Sequence, residues 1–257
     1  MNCKICSSNT SEVFTKEILG KYLVKYFQCN FCEFLQTEKP FWLEESYKNP
    51  INISDTGILE RNLHNARLMK NILFIIFGSK CSYLDYSGGY GTFTRRMRDI
   101  GFDFFWHDPY TQNLFCRGFE FSAQKISAIT LFEALEHFED PMIEMDKIFQ
   151  ITKNVFFSTQ TFTGSYPDTE KWDYYGAEHG QHISFYSIKS LRIINKRFNT
   201  NFYELGNNIY LFTEKKLKNH EILLIKSKIL FKIMDKVSTF FLNELTYSDY
   251  KLMKNAE

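Results

Sequence analysis

The stretch Tyr83-Leu84-Asp85-Tyr86-Ser87-Gly88-Gly89-Tyr90-Gly91-Thr92-Phe93 decides the fold. Tyr83 to Tyr86 reads as a strand, Ser87 to Gly91 as a glycine turn, and Thr92-Phe93 as the opening of a helix. Glycines let the backbone approach a ligand closely and bend sharply into the helix, so a ligand can sit against the helix start. Asp108 follows at the end of the next strand, where a carboxylate can accept hydrogen bonds from both hydroxyls of a ribose.

Outward from this point the elements alternate. Strands are expected over 82–86, 103–107, near 115–119, over 126–132 and over 153–158, with helices over 91–100 and 140–150, a pattern that argues a parallel sheet covered by helices on both faces. Upstream, Asp55 is expected to cap a helix running to about Phe77, with Ile58, Leu63, Leu68 and Ile72 at helical spacing. Downstream, a helix over 187–198 leads into Phe202–Leu205, the turn Gly206-Asn207-Asn208 and Ile209–Thr213, an antiparallel hairpin. Residues 217–245 read as one long helix with Ile222, Ile225, Ile229, Ile233 and Val237 on a stripe. Packing on its own domain is favoured for that stripe over a homodimer contact or a membrane role.

The N-terminal stretch carries Cys3 and Cys6 as one C-x-x-C pair and Cys29 and Cys32 as another. About 40 residues with so few apolar side chains cannot bury a core, and a metal ion supplies the missing folding energy. The spacing predicts a closed, structural four-thiolate Zn²⁺ site rather than redox-active thiols. Cys81 and Cys116 lie outside the pattern and read as small buried hydrophobes.

The bulk numbers exclude several classes. A formal charge of +1 in 257 residues gives no global field for nucleic acid or an anionic membrane. An apolar share of 44% is ample for a globular core. No run reaches the ~20 apolar residues of a membrane span, and the N-terminus has no signal-like core, so the expectation is a cytoplasmic protein.

The dehydrogenase fingerprint G-x-G-x-x-G would need glycine at 94, where Thr94 stands. The run 84–91 instead resembles the first motif of class I S-adenosylmethionine-dependent methyltransferases, hydrophobic-Leu-Asp-x-Gly-x-Gly-x-Gly. Ser87 replaces the first glycine, which fits the family loop if residue 87 keeps a negative φ. Asp108 matches the family's ribose-binding acid, and Phe132-Glu133-Ala134-Leu135-Glu136-His137-Phe138-Glu139-Asp140-Pro141 resembles its Leu-Glu-His-x-x-Asp-Pro segment. The resemblance implies a seven-stranded, Rossmann-like α/β sheet, mostly parallel with a terminal antiparallel hairpin, over residues 41–215. A zinc-ribbon-like module at 1–40 precedes it and a helical extension at 216–257 follows.

It also implies a cofactor site for S-adenosylmethionine: Asp85 and the Gly88, Gly89 and Gly91 turn at the methionine end, Asp108 at the ribose, Phe132 and Glu133 along the wall near the sulfonium. Glu136 and His137 are read as scaffold more often than catalyst. The run Trp172 to Ser187 is dense in aromatic and ionisable groups, and its His182-Ile183-Ser184-Phe185-Tyr186-Ser187 resembles a segment of bacterial sugar-modifying methyltransferases that also carry four N-terminal cysteines. Gln181 stands where some of these have a glutamate. His182 is the first choice of general base for a hydroxyl acceptor and His179 the second, Tyr175 being the next catalytic candidate, with Tyr174 and Trp172 shaping the pocket. The expected acceptor is a nucleotide sugar or another precursor of a capsule or surface polysaccharide. The alternatives are an RNA methyltransferase with a zinc-ribbon clamp and a non-catalytic zinc-ribbon interaction protein.

Overall fold

The computed structural model describes residues 1–48 and 51–255. In chain order the elements are β1 (Thr10–Ile18), β2 (Tyr22–Cys29), β3 (Leu35–Thr37), α1 (Leu43–Ser46), α2 (Ile58–Phe77), β4 (Ser82–Tyr86), α3 (Thr92–Ile100), β5 (Asp103–His107) and β6 (Ala128–Leu131). There follow α4 (Pro141–Ile151), β7 (Val155–Ser158), β8 (Thr161–Phe162), β9 (Ser184–Ser187), α5 (Ile188–Arg197), β10 (Asn201–Gly206), β11 (Ile209–Thr213), α6 (Asn219–Lys226), α7 (Lys228–Phe241) and α8 (Thr246–Lys254). The strands form a six-stranded sheet of order β10-β11-β7-β6-β4-β5 and a five-stranded one of order β1-β2-β3-β9-β8.

Among the described residues the chain divides into two compact units, one from 1–52, 132–153 and 157–214, the other from 53–131, 154–156 and 215–257. In the first unit the cysteine-bearing hairpin β1–β2 is antiparallel and continues through β3, which pairs with β9 as Leu35↔Phe185 and Gln36↔Ser184. The N-terminal stretch therefore shares a sheet with the His182 segment. An aromatic core of Tyr26, Trp42, Phe162, Tyr174, Tyr175 and Phe185 covers this sheet. Rings at the edge-on and stacked separations found here, such as Phe14–Tyr26 at 4.5 Å, bury large apolar area in few residues.

In the second unit β4 runs parallel to β5 and β6, as alternation with helices requires. The register sets Asp85 opposite Trp106 on β5 and Thr130 on β6. Helices α2 and α7 pack within this unit through a buried Ser238 hydroxyl donating to Asn71 Oδ1 at 2.8 Å and stacked Phe74 and Phe241 rings. Arg98 of α3, its side chain only 5% exposed, grips both carboxylate oxygens of Asp249 on α8, Nε and Nη2 each at 2.8 Å.

Four expectations differ from the structure. Among the described residues the sheet has six strands, because the segment expected near 115–119 gives only a single parallel rung at Glu120: Trp106 N–H donates to Phe119 O and Phe121 N–H to Trp106 O, both at 2.8 Å. Other amides of that segment are taken by side chains, Cys116 by Asn113 Oδ1 and Gly118 by Glu120 Oε2, so no strand propagates. Helix α2 starts after Gly57, and Asp55 pairs with Arg61 at 2.7 Å instead of capping. The single helix expected over 217–245 is broken at Ser227, whose hydroxyl caps α7 at the Leu230 amide. Ser87 lies in the left-handed region at φ +67°, so the negative φ on which its fit to the family loop depends is not met.

Candidate functional site

Three groups of chemistry-bearing residues stand out, one in the second unit and two in the first. In the second unit two hydroxyls reach Asp85: Thr94 from the first turn of α3 donates to Oδ2 at 2.9 Å and Thr130, set opposite by the β4–β6 register, to Oδ1 at 3.0 Å. Asp85 is 4% exposed. Burial pushes its carboxyl up to about 7, the two threonines pull the other way, and Asp108 adds to the upward push. The loop beyond it has Ser87, Gly89 and Gly91 all at positive φ. Gly88 has no room for a side chain, since an added Cβ would meet the Trp106 ring at 2.6 Å.

Asp108 ties this loop to the next one. Its Oδ2 accepts from the Gly89 amide at 2.9 Å, and Oδ1 from the Tyr110 amide at 2.8 Å and the Thr111 amide at 3.1 Å. Three of the carboxylate's roughly four acceptor sites are thus taken, and the remaining one is on Oδ2. Asp85, Gly88, Gly89, Gly91 and Asp108 are thus assembled in one unit, while Phe132 and Glu133 belong to the other. Glu133 is held at φ +50° by a reciprocal pair with Ser158, its amide donating to Oγ at 2.9 Å and its Oε1 accepting from Oγ at 2.7 Å. A non-glycine residue kept there is strained, and such strain clusters at working sites.

The second group contains His137, His179 and His182, with His137–His182 ring centroids 4.9 Å apart and His179–His182 4.7 Å apart. Hydrogen-bond partners fix the tautomers. His182 Nδ1 lies 2.6 Å from the Tyr174 carbonyl, which can only accept, so Nδ1 carries the proton and Nε2 the lone pair. His137 has the same arrangement, with Nδ1 3.1 Å from the Gln181 carbonyl and 2.9 Å from the Tyr47 hydroxyl. His179 is reversed: its Nδ1 accepts from the Gln181 amide at 3.1 Å, leaving the proton on Nε2. Desolvation pushes His137 down to about 4, with His179 adding to it, and pushes His182 well below its usual value, with His137 adding to that. Both are neutral near pH 7.

Tyr175 sits deeper than a catalytic group. It is 1% exposed, and its hydroxyl donates to the Pro167 carbonyl at 2.9 Å. Tyr174 hydrogen-bonds Thr159 at 3.0 Å, and Trp172 packs on Tyr174, Tyr175 and Phe185, so these rings support the histidine loop from the core side. Sequence reasoning missed Thr94 and Thr130 as partners of Asp85 and read Glu136 and His137 as scaffold. The Thr130 pairing comes from sheet register and the Thr94 pairing from the first turn of α3, and no local pattern reveals either.

The third group is the four thiols. Cys3 and Cys32 Sγ are 3.5 Å apart, as are Cys6 and Cys29 Sγ, and all four sulfurs lie within 4.8 Å of one another. Zn–S bonds of ~2.3 Å imply sulfurs roughly 3.75 Å apart in a tetrahedron, so the cluster fits the ion. Amides of Ile5, Phe31 and Cys32 point at Cys3 and Cys29 sulfurs at 3.4 Å, which favours thiolates. The Cys32 thiol beside it draws Cys3 down to about 5.

The family model described as a methyltransferase domain matches residues 59–205. The chain belongs to this family of methyltransferase domains. No curated protein matches the chain. Among solved structures it is similar to a methyltransferase of calicheamicin biosynthesis bound to S-adenosylhomocysteine, at 9% identity over 67% of this chain and 61% of that one, TM-score 0.42. It is also similar to an O-methyltransferase family protein from Burkholderia thailandensis, at 13% identity over 66% of each chain, TM-score 0.42. Human N-acetylserotonin methyltransferase in complex with S-adenosylmethionine gives 11% identity over 68% of this chain and 66% of that one, TM-score 0.43. The chain thus spans 61–66% of the length of these three structures.

Proposed function

We propose that the protein transfers the methyl group of S-adenosylmethionine to a hydroxyl of a small polar acceptor, a nucleotide sugar or another precursor of a surface polysaccharide such as capsule. Asp85 and the amides of the Gly88–Gly91 turn would receive the methionine end of the cofactor, and Asp108 the ribose. His182 would accept the acceptor's proton at Nε2. The observation that carries this role is the tautomer fixed by the Tyr174 carbonyl together with burial that keeps the ring neutral: the lone pair is available near pH 7 and the ring cannot turn away. The reversed tautomer of His179 and the buried Tyr175 hydroxyl put both behind His182. A structural Zn²⁺ on Cys3, Cys6, Cys29 and Cys32 would hold the N-terminal hairpin.

No helix among the described residues is long and apolar enough to cross a membrane. Exposed Ile229, Ile233 and Phe240 on α7 are the surface a homodimer would use. His182→Ala is expected to lower kcat by roughly 10²- to 10⁴-fold on a hydroxyl acceptor found by mass-spectrometric screening of nucleotide sugars. Cofactor affinity by calorimetry should stay nearly constant. Full turnover in that variant would leave His182 as a loop-pinning residue.

A further inference from the structure

In the first unit Glu136 lies against two of the three histidines, and the methyltransferase reading uses neither Glu136 nor His137. Glu136 and His137 are consecutive on a short 3₁₀ turn, Leu135–His137, and His182 comes from the loop before β9. A donor atom from each of the three lies within 4.8 Å of the other two. Glu136 is fully buried, at 0% exposure, while both imidazoles keep part of their surface open.

We propose that Glu136, His137 and His182 form a seat for a divalent first-row transition cation with an open coordination position. The chemistry of the donors is that of a two-histidine, one-carboxylate set, which binds Zn²⁺ or Fe²⁺ and leaves room for an exogenous oxygen. Both histidines have the outer hydrogen bond that metal-ligating imidazoles need: Nδ1–H of His182 is anchored on the Tyr174 carbonyl and that of His137 on the Gln181 carbonyl, so each turns its lone pair outward from the anchor. A further anchor comes from the backbone, because the Ile183 amide donates to the Glu136 carbonyl at 2.9 Å and holds the His182 segment against the turn. Ligands in a tetrahedral site with bonds of ~2.0–2.1 Å stand roughly 3.3 Å apart, so the 4.8 Å limit leaves at most about 1.5 Å for side-chain rotation to close.

The open position would take a hydroxyl oxygen. The O–H bond then breaks heterolytically, the electron pair stays on the cation-bound oxygen, and the proton goes to water. Here the inference rests on the methyl-transfer reading, for which an ionised acceptor hydroxyl is the nucleophile; with the cation bound, the His182 lone pair is spent on it and water takes the proton. Cation binding itself is read from the ligand set alone.

The test uses the full chain, freed of metal and titrated with Co²⁺ alone. The expected result is one equivalent that lacks thiolate-to-cobalt absorption, distinct from any bound by the four cysteines, together with paramagnetic shifts of the His137 and His182 imidazole resonances. Glu136→Gln and His182→Ala should each weaken that equivalent at least tenfold while circular dichroism and the thiolate-bound equivalent stay as in the parent. Absence of a thiolate-free equivalent in the parent, or imidazole resonances of His137 and His182 that do not respond to Co²⁺, overturns the seat whatever the variants do. Calorimetry with S-adenosylmethionine separates the two readings: cofactor binding without the second cation sinks the seat, and cation binding without cofactor binding sinks methyl transfer.

Discussion

Asp85 is 4% exposed and has two neutral hydroxyls as partners in place of water. Its carboxyl is pushed up to about 7 by that burial, against an ordinary value near 3.9. Between these two values the native state keeps a proton that the unfolded chain has released, so this residue's contribution to stability is full below about pH 4 and declines as pH rises toward 7. Asp85→Asn removes the cost, and the side chain still offers an acceptor and an NH₂ that a threonine hydroxyl can accept. The variant should be more stable than the parent near pH 8 by up to about 4 kcal/mol and no more stable near pH 4. Urea midpoints at the two pH values decide this, and equal differences at both would show that burial does not tax the charge. The same substitution should weaken cofactor binding, since the charge that destabilises the empty chain is what a cationic amino group would meet. Ser87 poses a smaller version of the same conflict. At φ +67° a serine is strained by ~1–2 kcal/mol, while glycine loses about 0.4–1 kcal/mol more backbone entropy on folding. Ser87→Gly should therefore raise stability by about 0.5 kcal/mol, read from the denaturation midpoint; a drop would show that the serine side chain supports the loop. At this scale the sequence was informative wherever the constraint is local. The glycine turn and Asp108 are read from neighbours in the chain, whereas Ser87's backbone sign and the Thr130 contact depend on β5 and β6 having already docked.

Among elements, β4, β5, β6, β7 and the β10–β11 hairpin were legible as short apolar runs between turn residues, several of them buried at every position, and α3, α4 and α5 as longer apolar-polar stretches, whereas β8 and β9 were not. The failures lie where side chains compete with the backbone. Ser227 ends one helix and caps the next, and Asn113 and Glu120 take amides that a seventh strand would need. Helix α8 was unreadable as a partner of α3, since the Arg98–Asp249 pair joins residues 151 positions apart. Its energetics differ from those of the surface pairs. Both side chains are nearly closed to solvent, at 5% and 7% exposure, whereas Asp235, paired with Lys70, is 54% exposed. Burial alone would raise Asp249, but the bonds to Arg98 and Arg95 outweigh it and the carboxyl is lowered. A lowered acid contributes stability above its unfolded pKa and loses it as pH falls through the folded one, so this clamp should release in acid. Asp249→Ala leaves Arg98 buried without its charged partner and should cost roughly 3–5 kcal/mol, while Asp235→Ala should cost no more than about 1 kcal/mol. Comparable losses in chemical denaturation of the two variants would show that the Arg98 clamp is no tighter than a surface pair.

Across the whole molecule, what could not be read from the sequence is which distant segments share a sheet. Residues 1–40 look self-contained because their cysteines are, yet β3 pairs with β9, and the Thr37 amide donates to the Ile183 carbonyl at 3.1 Å. The first cysteine loop is bound to the same strand, with the Lys4 amide on Gln36 Oε1 at 2.9 Å and Gln36 Nε2 on the Asn2 carbonyl at 3.1 Å. A chain of backbone and amide contacts thus runs from the thiol cluster through β3 to the residue after His182. Metal at the cysteines would therefore stabilise the histidine loop as well as the hairpin, and its removal would not stay local. The expected outcome for Cys3→Ser with Cys6→Ser, or for the parent after chelation, is faster hydrogen exchange at the amides of Thr37 and Ile183 together with those of β1 and β2. Amides of β4 and β5, which belong to the other unit, should keep their protection. If exchange quickens only before residue 34 the hairpin is an independent module, and if β4 loosens equally the two units unfold as one.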